Sequence, residues 1–281
     1  MGGLVFAAIM PHGHMAIPEA TDPDDHDQGR ATQEAMAEIG RRFDAARPEV
    51  TIILTPHNVH IEGHMAVIVA GKLVGSLASW TNQPIELEAV TDTALARTVL
   101  IALGDAEIPA VGVSYGGNAA DSATAPMDWA TLVPLWYAGG RADPPVPVVV
   151  VCPARDRSAA DHIRAGQALA EVAASSGKRV ALIASCDQAH THREGPPYGF
   201  DPAGAVFDAR MVDLIQRNQL GELLDIAPEL LRSAKADSLW QTLMLHGALG
   251  EDWQGEFLSY EVPTYFGLLC AVYQPNAVAA N

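Results

Sequence analysis

Residues 4–14, LVFAAIMPHGH, form a short apolar run that stops at Pro11 and delivers His12 and His14. The same order recurs twice. Residues 51–60, TIILTPHNVH, run into His57 and His60. Residues 180–192, VALIASCDQAHTH, run into His190 and His192. Short Val- and Ile-rich runs of this kind are typical of strands buried on both faces. In the first two, proline holds the preceding residue in extended geometry, so the strand ends cleanly before the histidine. If the three strands lie parallel, all three histidine clusters gather at one edge of the sheet. In open α/β sheets that edge, outside the carboxyl ends of the strands, is where ligands bind.

Working outward, short apolar runs alternate with longer amphipathic ones. Strands are predicted at Leu4–Ile9, Thr51–Leu54, Ala66–Val69, Ala110–Ser114, Val146–Val151 and Arg179–Ala184. Helices are predicted at Ala31–Ala46, Asp92–Leu103, Trp129–Ala138, Ala159–Ala174, Gly204–Asn218 and Ala236–Leu249. A further strand is expected around Phe257–Tyr260. This alternation predicts an α/β fold with a mostly parallel central sheet flanked by helices. No repeat or long linker divides the chain, so residues 1–281 are read as one domain. The acidic stretch 21–29, TDPDDHDQG, reads as a solvated loop.

Composition narrows the function. A hydrophobic fraction of 49% supports a sizeable core and excludes disorder along most of the chain. Seventeen Lys and Arg against 34 Asp and Glu leave a formal net charge of −17. That balance argues against a nucleic-acid partner and against docking on anionic lipid. No apolar run reaches the length of a membrane helix. The three cysteines, Cys152, Cys186 and Cys270, are dispersed and form no CxxC pair, so a reducing cytoplasm is expected.

Neutral imidazole is both a common metal ligand and a proton carrier near neutral pH. Two imidazoles with a carboxylate and open positions suit a non-haem Fe(II) oxygenase. Three histidines with an open fourth position would suit catalytic zinc. The residues themselves leave the metal open. Of the remaining histidines, His26 reads as solvated, His162 as a surface residue of a helix, and His246 as complementing a helix dipole. His64 begins the strand after the second cluster.

Four motifs, MPHGHMAIPE, ILTPHNVHIEGH, ASCDQAHTHREGPPYGFDPA and AKADSLWQTLMLHGALG followed by LSYEVPTYFG, resemble the class III extradiol ring-cleavage dioxygenases. That superfamily includes the catalytic subunit of protocatechuate 4,5-dioxygenase. The resemblance runs from residue 4 to about 273. It implies a non-haem Fe(II) held by His12, His57 and a carboxylate. The family's acid is usually a Glu at the start of a late helix; the acid available here is Asp237, with Glu251 and Glu62 as fallbacks. The family's catalytic histidine matches His190, with His192 as the alternative. A cysteine, Cys186, stands where glycine is common.

The resemblance further implies a small aromatic substrate of catechol, gallate or aminophenol type, with O2 as co-substrate. His14, His60 and Tyr198 are expected to line the pocket, with Tyr260 and Tyr265 as further candidates and residues 114–129 as an active-site loop. Arg193 and Arg155 are the cations near the motifs. Superfamily members are often dimers or pair with a small second subunit, so a homo-oligomer or such a partner is expected. Two other readings stay open: a zinc-dependent hydrolase, and a non-enzymatic metal-binding member of the fold.

Overall fold

The computed structural model describes residues 2–21 and 28–276; the core of the acidic stretch, His26 included, lies outside the described residues. In chain order the elements are β1 (Gly3–Met10), α1 (Arg30–Ala46), β2 (Val50–Leu54), β3 (Met65–Ile68), β4 (Lys72–Ser76), β5 (Glu86–Val90), α2 (Thr93–Asp105) and β6 (Ala110–Val113). There follow β7 (Thr124–Pro126), α3 (Trp129–Tyr137), β8 (Val148–Cys152), α4 (Ala159–Ser175), β9 (Arg179–Ser185), α5 (Ala203–Gln216), α6 (Pro228–Ala234), α7 (Leu239–Leu249), β10 (Trp253–Glu261) and β11 (Leu268–Pro275).

The main sheet has eight strands in the order β10-β11-β1-β9-β2-β8-β3-β6. Its centre, β1, β9, β2 and β8, is parallel throughout. Every residue of β2 and β8 is buried, as expected of strands covered on both faces. The edges depart from the parallel rule. The β10–β11 hairpin joins β1 antiparallel, and β3 with β6 runs antiparallel to β8. One face of the sheet packs on α2, α4, α5 and α7. The other packs on α1, α3 and a second, three-stranded sheet, β5-β4-β7.

Register decides where the motifs land. Met10 of β1 pairs with Ser185 of β9, and Leu54 of β2 pairs with Ala184 of the same strand. The three strands therefore end at one level. His12, His57 and Asp187 follow those ends by two or three residues. The parallel pairing on which the histidine argument depends is present.

The fold corrects two residue-level expectations, besides adding β4, β5, β7, β11 and α6 to the predicted elements. The predicted helix Ala236–Leu249 begins later, at Leu239. Lys235 closes α6 in the left-handed conformation, so Ala236, Asp237 and Ser238 form a turn before α7. His162, expected at the surface, is fully buried in α4, where its Nδ1 bonds the Ser158 carbonyl.

Helix α7 packs unusually close to α4. A Cβ on Gly166 would stand 1.9 Å from the Met244 carbonyl oxygen, and one on Gly247 would stand 2.0 Å from that of Ile163. Only glycine on each helix permits this approach. The segment bearing Asp237 leads directly into this closely packed helix.

Candidate metal centre

His12 is fully buried at the end of β1. Its Nδ1 lies 3.0 Å from Ser185 Oγ. The single Ser185 hydroxyl proton goes to the Ala130 carbonyl, 2.6 Å away, so Oγ accepts from His12 Nδ1–H. In the neutral ring this leaves Nε2 as a lone pair. That atom is buried and has no hydrogen-bond partner.

His57 follows β2, and its Nε2 lies 2.9 Å from Asp237 Oδ2. The ring stacks on Trp129, with centroids 4.5 Å apart, and meets His12 edge-on at 5.0 Å. Asp237 is buried, and its Oδ2 is 3.6 Å from His12 Nε2. Its Oδ1 has no partner. Ligand atoms of His12, His57 and Asp237 all lie within 4.8 Å of one another.

Electrostatics favour a cation there. Burial alone would raise the Asp237 carboxyl, but His12 and His57 beside it draw it far below the ordinary carboxylate range. Burial alone would lower the His12 pKa; the carboxylates of Asp187 and Asp237 outweigh it, and the net direction is upward. An ionised acid, two imidazoles, and an orphaned atom on both His12 and Asp237 fit a divalent metal. Unpartnered buried polar atoms are costly, and coordination would satisfy both.

Asp187 braces this arrangement. Its Oδ1 accepts the backbone N–H groups of His12 at 2.8 Å and Gly13 at 3.3 Å, while Oδ2 lies 3.4 Å from His12 Nε2. Burial raises its own pKa, despite the opposing pull of His12. It sits in the same CDQAH motif as His190, three residues earlier, and that position is the signal by which sequence reading can find it.

The cluster opens into a cavity of about 380 Å³. His190 lines it, and its Nδ1 donates to the Lys235 carbonyl at 2.9 Å. A carbonyl only accepts, so the neutral His190 ring keeps Nε2 free to accept a proton. Its ring stacks on Phe266 and meets Tyr198 and Tyr265. Trp80 and Trp129 complete the aromatic wall.

The chain matches the family described as the catalytic LigB subunit of aromatic ring-opening dioxygenase over residues 6–268. The chain belongs to the LigB family. This LigB-family chain is 23% identical over 255 residues to Protein CA_C1420 of Clostridium acetobutylicum, covering 90% of its own length. It spans about half, 54%, of that curated relative. It also superposes on the crystal structure of uncharacterized protein JW3007 from Escherichia coli K12, with a TM-score of 0.62 and 16% identity. The match covers 96% of this chain and 99% of that one, a likeness of fold.

The other predicted residues of the LigB-family site divide cleanly. His14, Tyr198 and Tyr265 line the cavity. His60 does not: it is exposed, because Asn58 is tied to the Pro126 carbonyl and Asp128 and the chain turns outward after it. His192 also stays outside the lining. Its Nε2 bonds Asp208 Oδ2 at 2.8 Å, and Tyr260 donates to the same oxygen at 2.7 Å. Glu62 and Glu251 are exposed and apart from the cluster. Residues 114–129 reach the cavity only through their last member, Trp129. His64 is exposed and His246 half-buried, both away from the cluster. Trp80 and Phe266 were not singled out in the sequence.

All three cysteines are free and buried. Among the described residues no helix is long and apolar enough to cross a membrane.

Proposed function

We propose that this chain is a non-haem Fe(II)-dependent extradiol dioxygenase that opens the ring of a catechol-type aromatic with O2. The observation that carries the reading is the convergence of His12, His57 and Asp237 on one point at the floor of an aromatic-walled cavity that also holds His190. His12, His57 and Asp237 would hold the metal. When bound, Fe(II) supplies the Lewis acidity and the oxygen chemistry that no side chain provides.

The chain's own residues do the rest. Phe266, Tyr265, Tyr198 and Trp129 present flat apolar surfaces that orient an aromatic ring and exclude water. His190 accepts a substrate hydroxyl proton at Nε2 while the Lys235 carbonyl keeps Nδ1–H in place. The same nitrogen returns the proton as the ring opens. Ser185 fixes the His12 tautomer, and Asp187 fixes the backbone that carries it.

The test is purification without oxygen, metal analysis, and oxygen uptake with a panel of catechols. Stoichiometric iron with substrate-dependent oxygen uptake supports the reading. Zinc with no oxygen uptake sinks it in favour of a hydrolase.

A further inference from the structure

A second cavity of about 400 Å³ adjoins the first. The two share His14, Met15, Trp80 and Thr264. The far wall of the second is the loop between β4 and β5, residues 77–85, which contributes Ser79, Trp80, Thr81 and Asn82. This loop is carried by the three-stranded sheet, so that sheet has a use beyond covering the core.

The chemistry of the two cavities differs. The first is walled by aromatic rings. The second is lined by hydroxyls and amides: Thr21, Ser79, Thr81, Asn82 and the shared Thr264. Thr264 lines both cavities, and its Oγ1 has no hydrogen-bond partner. No Lys or Arg is among the described residues lining either cavity. Arg155 and Arg193 donate to the carbonyls of Pro56 and Pro263, beside His57 and Thr264, and line neither cavity.

We infer that the β4–β5 loop builds a second subsite for a hydrogen-bonding, non-anionic arm of the ring substrate, so that the substrate is an armed catechol and not a ring acid. The inference rests on the ring-cleavage reading and names its substrate class. A carboxylate entering this space would shed water with no Lys or Arg in the described lining to replace it, and the net charge of −17 opposes its approach. A hydroxyl or amide arm instead exchanges water for Ser79, Thr81 and Asn82. Each cavity alone is near the lower end of ligand-site volumes, about 300–1,000 Å³; the joined space holds a ring with its arm.

The test is calorimetry on the full Fe(II)-loaded chain without oxygen. Three probes are compared: catechol, 3,4-dihydroxyphenylacetate, and the N-(2-hydroxyethyl)amide of that acid. The amide is expected to bind about tenfold tighter than catechol, the effect of one or two net hydrogen bonds, and tighter than the acid. Asn82→Leu, at an exposed position where folding is not threatened, should cut the amide's advantage over catechol to about twofold or less. An acid that binds as tightly as the amide, an amide no tighter than catechol, or an advantage that survives Asn82→Leu overturns the inference. Oxygen uptake on the same samples reads the parent proposal separately. Amide-selective binding without oxygen uptake keeps the subsite and sinks ring cleavage. Oxygen uptake without amide preference does the reverse, and no binding of any probe overturns both.

Discussion

His57 Nε2 stands 2.9 Å from Asp237 Oδ2 although 180 residues separate them in the chain. The contact joins the end of a central strand to the turn before the last helix. It brings together an imidazole and an ionised carboxylate in a pocket where His12 Nε2 waits unpaired. Asp237→Asn removes the charge at nearly constant shape. Metal affinity is expected to fall by more than the ~10–100-fold typical of losing a residue that merely orients a ligand. Metal titration of the apo protein reads this, and an unchanged affinity would remove Asp237 from the site.

His190 is assigned to proton transfer and not to metal binding. His190→Gln should leave iron content intact while lowering kcat by ~10²–10⁴-fold, the usual worth of a general base. Loss of iron along with activity would move His190 into the ligand set.

Asp208 organises the segment that carries both Asp187 and His190. One carboxylate takes the Ala189 N–H at 2.8 Å and the side chains of His192 and Tyr260. A Cβ on Gly267 would lie 2.2 Å from its Oδ2, so the backbone just before β11 is pressed against it. Asp208→Ala strands three donors and is expected to cost about 2–4 kcal/mol in chemical denaturation. Tyr260→Phe removes one donor only and should cost about 1 kcal/mol. Equal costs would contradict the shared-acceptor picture.

Burial lowers the pKa of His162, and its Nε2 has no partner. The unfolded chain then binds a proton near pH 6.5 that the folded chain refuses. Stability is therefore full above that pH and is lost as pH falls below it. Denaturation midpoints compared between pH 7.5 and 5 should show His162→Gln falling less steeply than the parent. Parallel slopes would show that this imidazole does not drive the acid sensitivity.

The α4–α7 contact is tested at Gly166. Gly166→Ala places a methyl against the Met244 carbonyl, and overpacking of this kind costs about 1–3 kcal/mol. Because α7 follows directly from Asp237, metal affinity should weaken along with stability. Full metal affinity in a destabilised variant would separate the helix contact from the site.

Much of the centre was legible in the chain. The apolar runs before His12, His57 and His190 are long enough and branched enough to be buried parallel strands, and strand ends in such sheets collect ligands. Parallel register needs no more than that to place the three clusters together. Asp237 was reached through the family's late helix, but its position in a turn before α7 was not. Helix starts depend on one left-handed residue, here Lys235, which composition does not announce. The strands β4 and β5 alternate inward and outward residues, yet β4 buries only the side chain of Leu73 and β5 only those of Leu87 and Ala89, too weak a signal beside the fully buried central strands. Trp80, delivered by their loop, went unseen with them.

The local sequence thus determined which segments become strands, where they end and which donor atoms stand at those ends, because these follow from nearest-neighbour sterics and burial. It did not determine which way each ring turns. His60 and His192 carry the same imidazole as His57 and His190 and stand only two or three residues away. Asn58 anchors one chain segment so that His60 faces water, and buried Asp208 draws His192 to the far side. Those partners come from other elements, so only the packed structure could choose between neighbours of identical chemistry.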